Sequence, residues 1–381
     1  MSAPAPDPGL GLVTTHNVRL FDEDQPLELA SGATLGPVDV AYETYGTLNA
    51  ARDNAVYICH ALTGDAHAAG WHEGDRRPGW WDNLIGPGRA VDTDRWFVVS
   101  SNLLGGCQGT TGPSSTNPAT GRAYGLDFPL VQMSDFVDVH LALARHLGIE
   151  TFHAVVGGSL GGMQALQWAL QAPQTLQRAV MIASSSRLTA QNIAFSAVGR
   201  QAIMRDENFH AGQFAQHGHN PDVGLAIARM MAHITYLSEE AFQTKFGRDP
   251  QTEPTPGFGI DFAVESYLDH QGEAFLSRFD ALSYLYLTRV MDYFDPFADP
   301  AALTTLLDDP VDFLVMSFDS DWRFSTEHSR RIVRVLEQAG LPVSFREVRS
   351  DWGHDSFLLE VPTYHETIEA FLTANREVEG F

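Results

Sequence analysis

Two kinds of hydrophobic pattern alternate along most of the chain. Short continuous or alternating apolar runs predict buried strands, and apolar residues recurring every three to four positions predict one-faced helices. Runs of the first kind lie near Asn17 to Leu20 and Val38 to Thr44, and at Ala55 to Cys59, Trp96 to Ser100, Phe152 to Val156, Arg178 to Ala183, Val311 to Phe318 and Val343 to Val348. Phe136, Val139, Leu143 and Leu147 form one helical stripe, with Ser134 as its expected cap and Gly148 as its terminator. Met163, Leu166 and Leu170 form a second over Leu160 to Gln171, which stops before Pro173. Strands that alternate with helices need crossover connections, so the expected architecture is α/β, with a mainly parallel central sheet flanked by helices.

From about Arg187 to Pro300 the strand signal fades. Helical or polar segments replace it, among them Val223 to Leu237, Asp261 to His270 and Asp280 to Tyr286. The expectation is a core made of residues 1–186 and 301–381, interrupted by a helical lid at 187–300 that roofs the site and shapes its pocket. A Pro-rich tail to about Pro8 is expected to fray.

Composition narrows the partners. With 381 residues the chain can bury a large core, and 44% hydrophobic with 19% charged residues fits a soluble enzyme. Acidic residues outnumber basic ones 48 to 24, a formal charge of -24 that repels nucleic-acid phosphates, so an anionic substrate must be met by a local group of arginines. No apolar run approaches the roughly 18 residues that span a bilayer. The N-terminal residues lack the basic start and apolar stretch of an export signal, and cytoplasm is the expected location. Cys59 and Cys107 are too few for a disulfide framework or a thiolate metal site.

The sharpest chemical signal is Gly157-Gly158-Ser159-Leu160-Gly161, set between a predicted strand and a predicted helix. A serine on so tight a turn is strained and lifted clear of the backbone, and glycines must flank it because side chains there would collide with strand or helix. The Leu160 amide then opens a helix, where it can donate to a developing oxyanion. Ser159 is the expected nucleophile. The loop after the strand Ala55 to Cys59 is where a second oxyanion donor belongs, and Leu62 supplies the candidate amide.

A parallel sheet exposes its functional residues at the carboxyl ends of its strands. Two late strands run into Asp319-Ser320-Asp321 and into Asp351-Trp352-Gly353-His354-Asp355, in the order Ser…Asp…His. His354 is the expected general base and Asp321 its orienting carboxylate, with Asp319 as the competitor. Taken singly, His354 reads as a satisfied loop histidine and Asp321 as a helix cap; agreement of all three in order favours the triad. The histidines at 60, 67 and 72 fit no helical metal-ligand spacing and have no cysteines nearby, so packing or loop hydrogen bonding is expected of them and no metal. The glycine-rich run Leu104 to Pro113 lacks the lysine of a phosphate-binding loop and reads as shaped active-site wall.

These residues carry a resemblance. Through His60-Ala61-Leu62-Thr63-Gly64-Asp65, Gly105-Gly106-Cys107-Gln108-Gly109-Thr110-Thr111-Gly112-Pro113, Gly157-Gly158-Ser159-Leu160-Gly161-Gly162 and Gly353-His354-Asp355, nearly the whole chain resembles the homoserine O-acyltransferases of the α/β-hydrolase fold. The resemblance implies a cytoplasmic homodimer of methionine biosynthesis that moves an acyl group from acyl-CoA to L-homoserine, with no metal and no bound cofactor. It also implies that Arg229 holds the acceptor's α-carboxylate and Asp355 its ammonium, a chemically sound pairing. Arg229 also reads as a surface arginine with a buried stem, and Asp355 as a helix cap.

Arg323, two residues past Asp321, stands where an apolar residue is expected in acetyl-using members and looks like the succinyl-using branch, since a guanidinium can pair with succinate's distal carboxylate. Acetyl-CoA as donor and L-serine as acceptor stay open, the latter because one methylene discriminates by only about 1 to 3 kcal/mol. A carboxylesterase or thioesterase with the same triad, and an idle fold serving as a binding protein, are the readings from other classes.

Overall fold

The Val-, Ile- and Ala-rich runs come together in one eight-stranded sheet of a computed structural model that describes residues 9–251 and 257–375. Its strands are β1 (His16–Phe21), β2 (Val38–Tyr45), β3 (Ala55–Cys59), β4 (Phe97–Ser101), β5 (Ala154–Gly158), β6 (Arg178–Ile182), β7 (Asp312–Phe318) and β8 (Val343–Val348). Their spatial order is β1-β2-β4-β3-β5-β6-β7-β8. β1 and β2 pair antiparallel, as do β2 and β4; every later pairing is parallel. The expected mainly parallel sheet is therefore present, with its antiparallel part at the N-terminal edge. Every residue of β3, β5 and β6 is buried. These central strands read as continuous apolar runs because helices cover both of their faces. The proline-rich tail to Pro8 lies outside the described residues.

Helix α1 (Met133–Leu147) and helix α2 (Leu160–Gln171) pack on one another and on the sheet. The buried Trp168 on α2 closes edge-to-face on Tyr57 of β3, at 5.0 Å between centroids. Burying side chains of this size contributes about 1.5–3 kcal/mol each. The start of α1 differs from expectation: Gln132, not Ser134, is the cap residue, and the Asp135 carboxylate accepts from the Gln132 N–H at 2.6 Å. Asp135 also accepts from the Ala30 N–H at 2.7 Å, so a contact from a distant loop selects the cap. β5 likewise starts at Ala154 instead of Phe152 and continues through both glycines, because the ladders to β3 and β6 extend to Gly157 and Gly158. Neighbouring strands override the weak strand preference of glycine.

Between β6 and β7 come the longer helices α3 (Ala190–Met204), α4 (Asp222–Tyr236), α5 (Glu239–Phe246), α6 (Ala263–Leu276) and α7 (Ala281–Tyr293), followed by a short helical turn at Thr304–Asp308. α4 packs between α3 and α6. Helix α8 (Thr326–Gln338) follows β7, and α9 (Pro362–Thr373) ends the described chain. Among the described residues no helix is long and apolar enough to cross a membrane.

Candidate functional site

The chain enters the turn after β5 under close backbone constraint. A Cβ on Gly157 would lie 2.2 Å from the Gly161 carbonyl carbon, and one on Gly161 would lie 2.0 Å from the Cys59 oxygen. No side chain fits either place, so strand and helix meet through glycine. Ser159 itself takes φ 56° and ψ -120°, the left-handed side of the map that non-glycine residues avoid. Its N–H donates to the Ile182 carbonyl at 2.9 Å, which pins the turn to β6 and leaves the hydroxyl projecting from the sheet's carboxyl edge.

Three side chains from three loops meet there. The Ser159 hydroxyl lies 2.9 Å from His354 Nε2, and His354 Nδ1 lies 2.7 Å from Asp321 Oδ2. All three residues are buried. The other oxygen of Asp321 accepts from the N–H groups of Arg323 and Phe324, each at 2.9 Å, which fixes the carboxylate's rotation. Asp319, the alternative in sequence, instead accepts from the Ser350 N–H at 2.9 Å and ties the two loops together. The imidazole is held between Phe324, edge-on at 5.2 Å, and Phe357 at 5.5 Å. Among the described residues neither the Leu62 nor the Leu160 amide donates a hydrogen bond, so both are free to meet a ligand oxygen.

These groups open onto a cavity of about 350 Å³. Ser159, His354, Asp355 and Arg229 all line it, as does the loop Ala61 to Asp65. Arg229 comes from α4, which the fold holds in place twice over: Trp322 Nε1 donates to the Leu237 carbonyl at 2.9 Å, and the Ser238 hydroxyl donates to the Asp351 carbonyl. The helical insertion is thereby fastened to both loops that carry Asp321 and His354. Burial pushes the Asp355 carboxyl up to about 6, opposed in part by the charges of His354 and Arg229.

One expectation needs correction, and one candidate sits back from the cavity. The run Leu104 to Pro113 does not line this cavity. Its Thr110 and Thr111 hydroxyls accept from the backbone of β2 at 3.0 and 2.9 Å, and the Gln108 side chain donates to the Arg278 carbonyl, so the run buttresses the wall from behind. Arg323 does not line it either. Its guanidinium donates to the Thr235 hydroxyl at 2.7 Å and lies 5.6 Å from the ring of Tyr236, which does line the cavity.

The histidines sort by partner. His60 Nε2 accepts from the Leu103 N–H at 3.1 Å, as a loop-packing residue would. His67 and His72 stack at 3.8 Å and both reach the buried carboxylate of Glu43, at 3.1 and 2.8 Å. Their ligand atoms and those of Glu43 fall within 4.8 Å of one another, a composition that can bind a metal. The rings lie near parallel, however, so their lone pairs run side by side instead of converging on one ion. Glu43 comes from β2, far away in sequence, and spacing among the histidines could not reveal it. Arg77, Trp80, Tyr236 and Arg278 also line the cavity and were not singled out from sequence. The helical periodicity of α4 carries Tyr236 on Arg229's helix, but nothing local distinguishes Arg278 from a surface arginine.

The α/β-hydrolase fold family model matches residues 54–361. The chain is 58% identical to a homoserine O-succinyltransferase from Nocardioides sp., over 95% of its own length and 99% of the relative's. It belongs to the homoserine O-acyltransferase family. Within that family it is also 53% identical to a homoserine O-acetyltransferase from Rhodospirillum rubrum, over 94% of this chain and 92% of the other. The same fold is found in the crystal structure of esterase E22, which is 29% identical with a TM-score of 0.86, covering 95% of this chain and 100% of that one.

Proposed function

We propose that this homoserine O-acyltransferase family member transfers an acyl group from acyl-CoA to L-homoserine, as a cytoplasmic enzyme of methionine biosynthesis. The observation that carries the reading is a complete serine–imidazole–carboxylate chain opening onto a cavity that also bears Arg229 and Asp355. His354 takes the Ser159 proton as Oγ attacks the thioester carbonyl, while the Leu62 and Leu160 amides hold the oxyanion. His354 returns the proton to the departing thiolate, and CoA leaves an acyl-serine. The homoserine hydroxyl then gives its proton to His354 and attacks the ester carbonyl; as the bond to Ser159 Oγ breaks, His354 passes that proton to the serine, so that O-acyl-homoserine is released and the free hydroxyl restored in a ping-pong cycle. No metal or bound cofactor takes part in this scheme. The helical insertion, residues 187–300, serves as the lid that keeps water from the acyl-enzyme. A second copy of the chain is the partner this reading includes, and the exposed Val223, Ile227 and Ile234 of α4 supply an apolar surface for it.

Arg229 pairs with the acceptor's carboxylate and Asp355 with its ammonium. Asp355 must be ionised to do so, and its carboxyl sits at about 6, so acceptor binding is lost as pH falls through that value. The KM for L-homoserine is expected to rise about tenfold per pH unit below pH 6, and Asp355→Asn to abolish that rise; a pH profile of KM measures both.

The donor reads as succinyl-CoA, supported by the 58% identical succinyltransferase and by Arg323, although the 53% identical acetyltransferase keeps acetyl-CoA as the alternative. For Arg323 to reach the distal carboxylate, its bond to Thr235 must open and its side chain turn toward the cavity. CoA release is to be measured from succinyl-CoA and acetyl-CoA, each with L-homoserine, L-serine or no acceptor, for wild type and Arg323→Leu. Preference for succinyl-CoA with homoserine, lost by about tenfold or more in the variant, is the expected result. Acetyl preference untouched by the substitution would make Arg323 structural. The likeness to esterase E22 favours hydrolysis as the second reading, and equal CoA release without an acceptor would establish it.

A further inference from the structure

A second arginine shares the wall with Arg229. Arg278 follows α6, and its Nη2 donates to the Thr63 carbonyl at 3.4 Å while Arg229 Nη1 donates to the Thr63 hydroxyl at 3.4 Å. Their guanidinium carbons lie 5.8 and 4.6 Å from the same Phe275 ring. Two like charges therefore converge on one residue of the cavity wall. Among the described residues, neither has a carboxylate oxygen within the 4.0 Å of an ion pair, although Asp65 and Asp355 line the same cavity. Arg229 Nε is also buried without a partner. In a chain of formal charge -24 this is a local concentration of positive charge without an ion pair of its own, which suits an anion. Burial, and then the charge of Arg229, hold the Arg278 guanidinium below its ordinary value, against the opposing charge of Asp65.

We infer that Arg278 and Arg229 form a two-arginine clamp on the α-carboxylate of the amino-acid acceptor, with Arg278 as a second acceptor-binding residue. The inference rests on the acyl-transfer reading above. Two guanidiniums around one carboxylate supply donors to both oxygens and fix the direction from which the acceptor's hydroxyl approaches Ser159. The Gln108 side chain holds the Arg278 carbonyl, which gives the glycine-rich run a part in setting this arginine's position.

The test separates the two half-reactions. For Arg278→Gln the KM for L-homoserine is expected to rise about 10- to 100-fold, the loss of a charge-assisted hydrogen bond, while the burst of CoA released without acceptor changes far less. Arg278→Lys should recover part of the loss. L-Homoserinamide, which lacks the carboxylate, should serve wild type and Arg278→Gln equally; a merely structural role would impair both acceptors alike, and that result overturns the clamp. A raised KM for acyl-CoA with a slowed burst also overturns it, since Arg278 would then meet the donor's phosphates. Wild-type CoA release that is indifferent to any acceptor refutes the acyl-transfer reading itself, and the clamp with it, whereas the two preceding outcomes leave acyl transfer standing.

Discussion

Ser159→Ala is expected to lower acyl transfer by about 10⁶-fold, with no acyl-protein adduct detectable by intact mass after incubation with acyl-CoA. The size of the loss follows from the division of labour around the turn. The serine hydroxyl's hydrogen-bond partner is His354 Nε2, so its removal leaves no other buried group stranded. Alanine bears the same φ of 56° at the same cost as serine, because the strain comes from Cβ and not from the hydroxyl. The fold and the cavity should therefore survive, with a thermal transition near that of wild type and acyl-CoA still bound. Loss of rate with retained donor binding places the defect in the covalent step. An Ser159→Ala variant that still released CoA at a tenth of the wild-type rate would mean water or acceptor attacks the thioester directly, and the ping-pong scheme would fall.

The sheet was legible because its central strands are buried on both faces and so write themselves as unbroken apolar runs; Ala55 to Cys59 and Arg178 to Ile182 needed no context. The turn at Ser159 was legible for a different reason, namely that backbone collisions at Gly157 and Gly161 leave only one residue type. Element ends were less so. The cap of α1 depends on Asp135 reaching both Gln132 and Ala30, and the second of these contacts spans more than a hundred residues. Helix α3 was not picked out by period alone, since its buried positions are mostly small or polar: Asn192, Ser196, Gly199 and Arg200 beside Ile203. Its apolar stripe is faint because it packs against other helices of the insertion through small residues.

Within the site, their order and the strands before them singled out Ser159, Asp321 and His354, the three side chains that the structure brings together. It could not say what surrounds them. The Arg323 guanidinium is held by Thr235 at the end of α4, and Glu43 reaches the loop residues His67 and His72 from β2. Arg278 is the clearest instance: its position on the wall is fixed by Thr63 and Gln108, both more than 150 residues away in the chain. Long-range contacts decide which charged residue faces a ligand, and such contacts leave no local pattern.

Which of Asp319 and Asp321 meets His354 is set by the same kind of contact, and it has a measurable consequence. Asp321→Asn is expected to lower kcat by about 10⁴-fold. In the wild type, Oδ1 of Asp321 accepts two backbone N–H groups, from Arg323 and Phe324, while Oδ2 faces His354 Nδ1. Asparagine must keep its oxygen where the two donors are, which turns its NH₂ toward the imidazole. His354 can then meet that donor only with the lone pair of Nδ1, so its proton moves to Nε2. Nε2 is the atom 2.9 Å from the Ser159 hydroxyl, and once protonated it can no longer accept the serine's proton. The loss comes from the wrong tautomer and not from misfolding, so raising the pH should restore part of the activity as serine ionisation bypasses the base. Asp319→Asn keeps an oxygen for the Ser350 N–H and is expected to change kcat by less than about threefold. If instead Asp319→Asn carried the 10⁴-fold loss and Asp321→Asn were mild, the carboxylate that orients His354 during turnover would be Asp319, and the loop between β7 and α8 would have to rearrange on binding substrate.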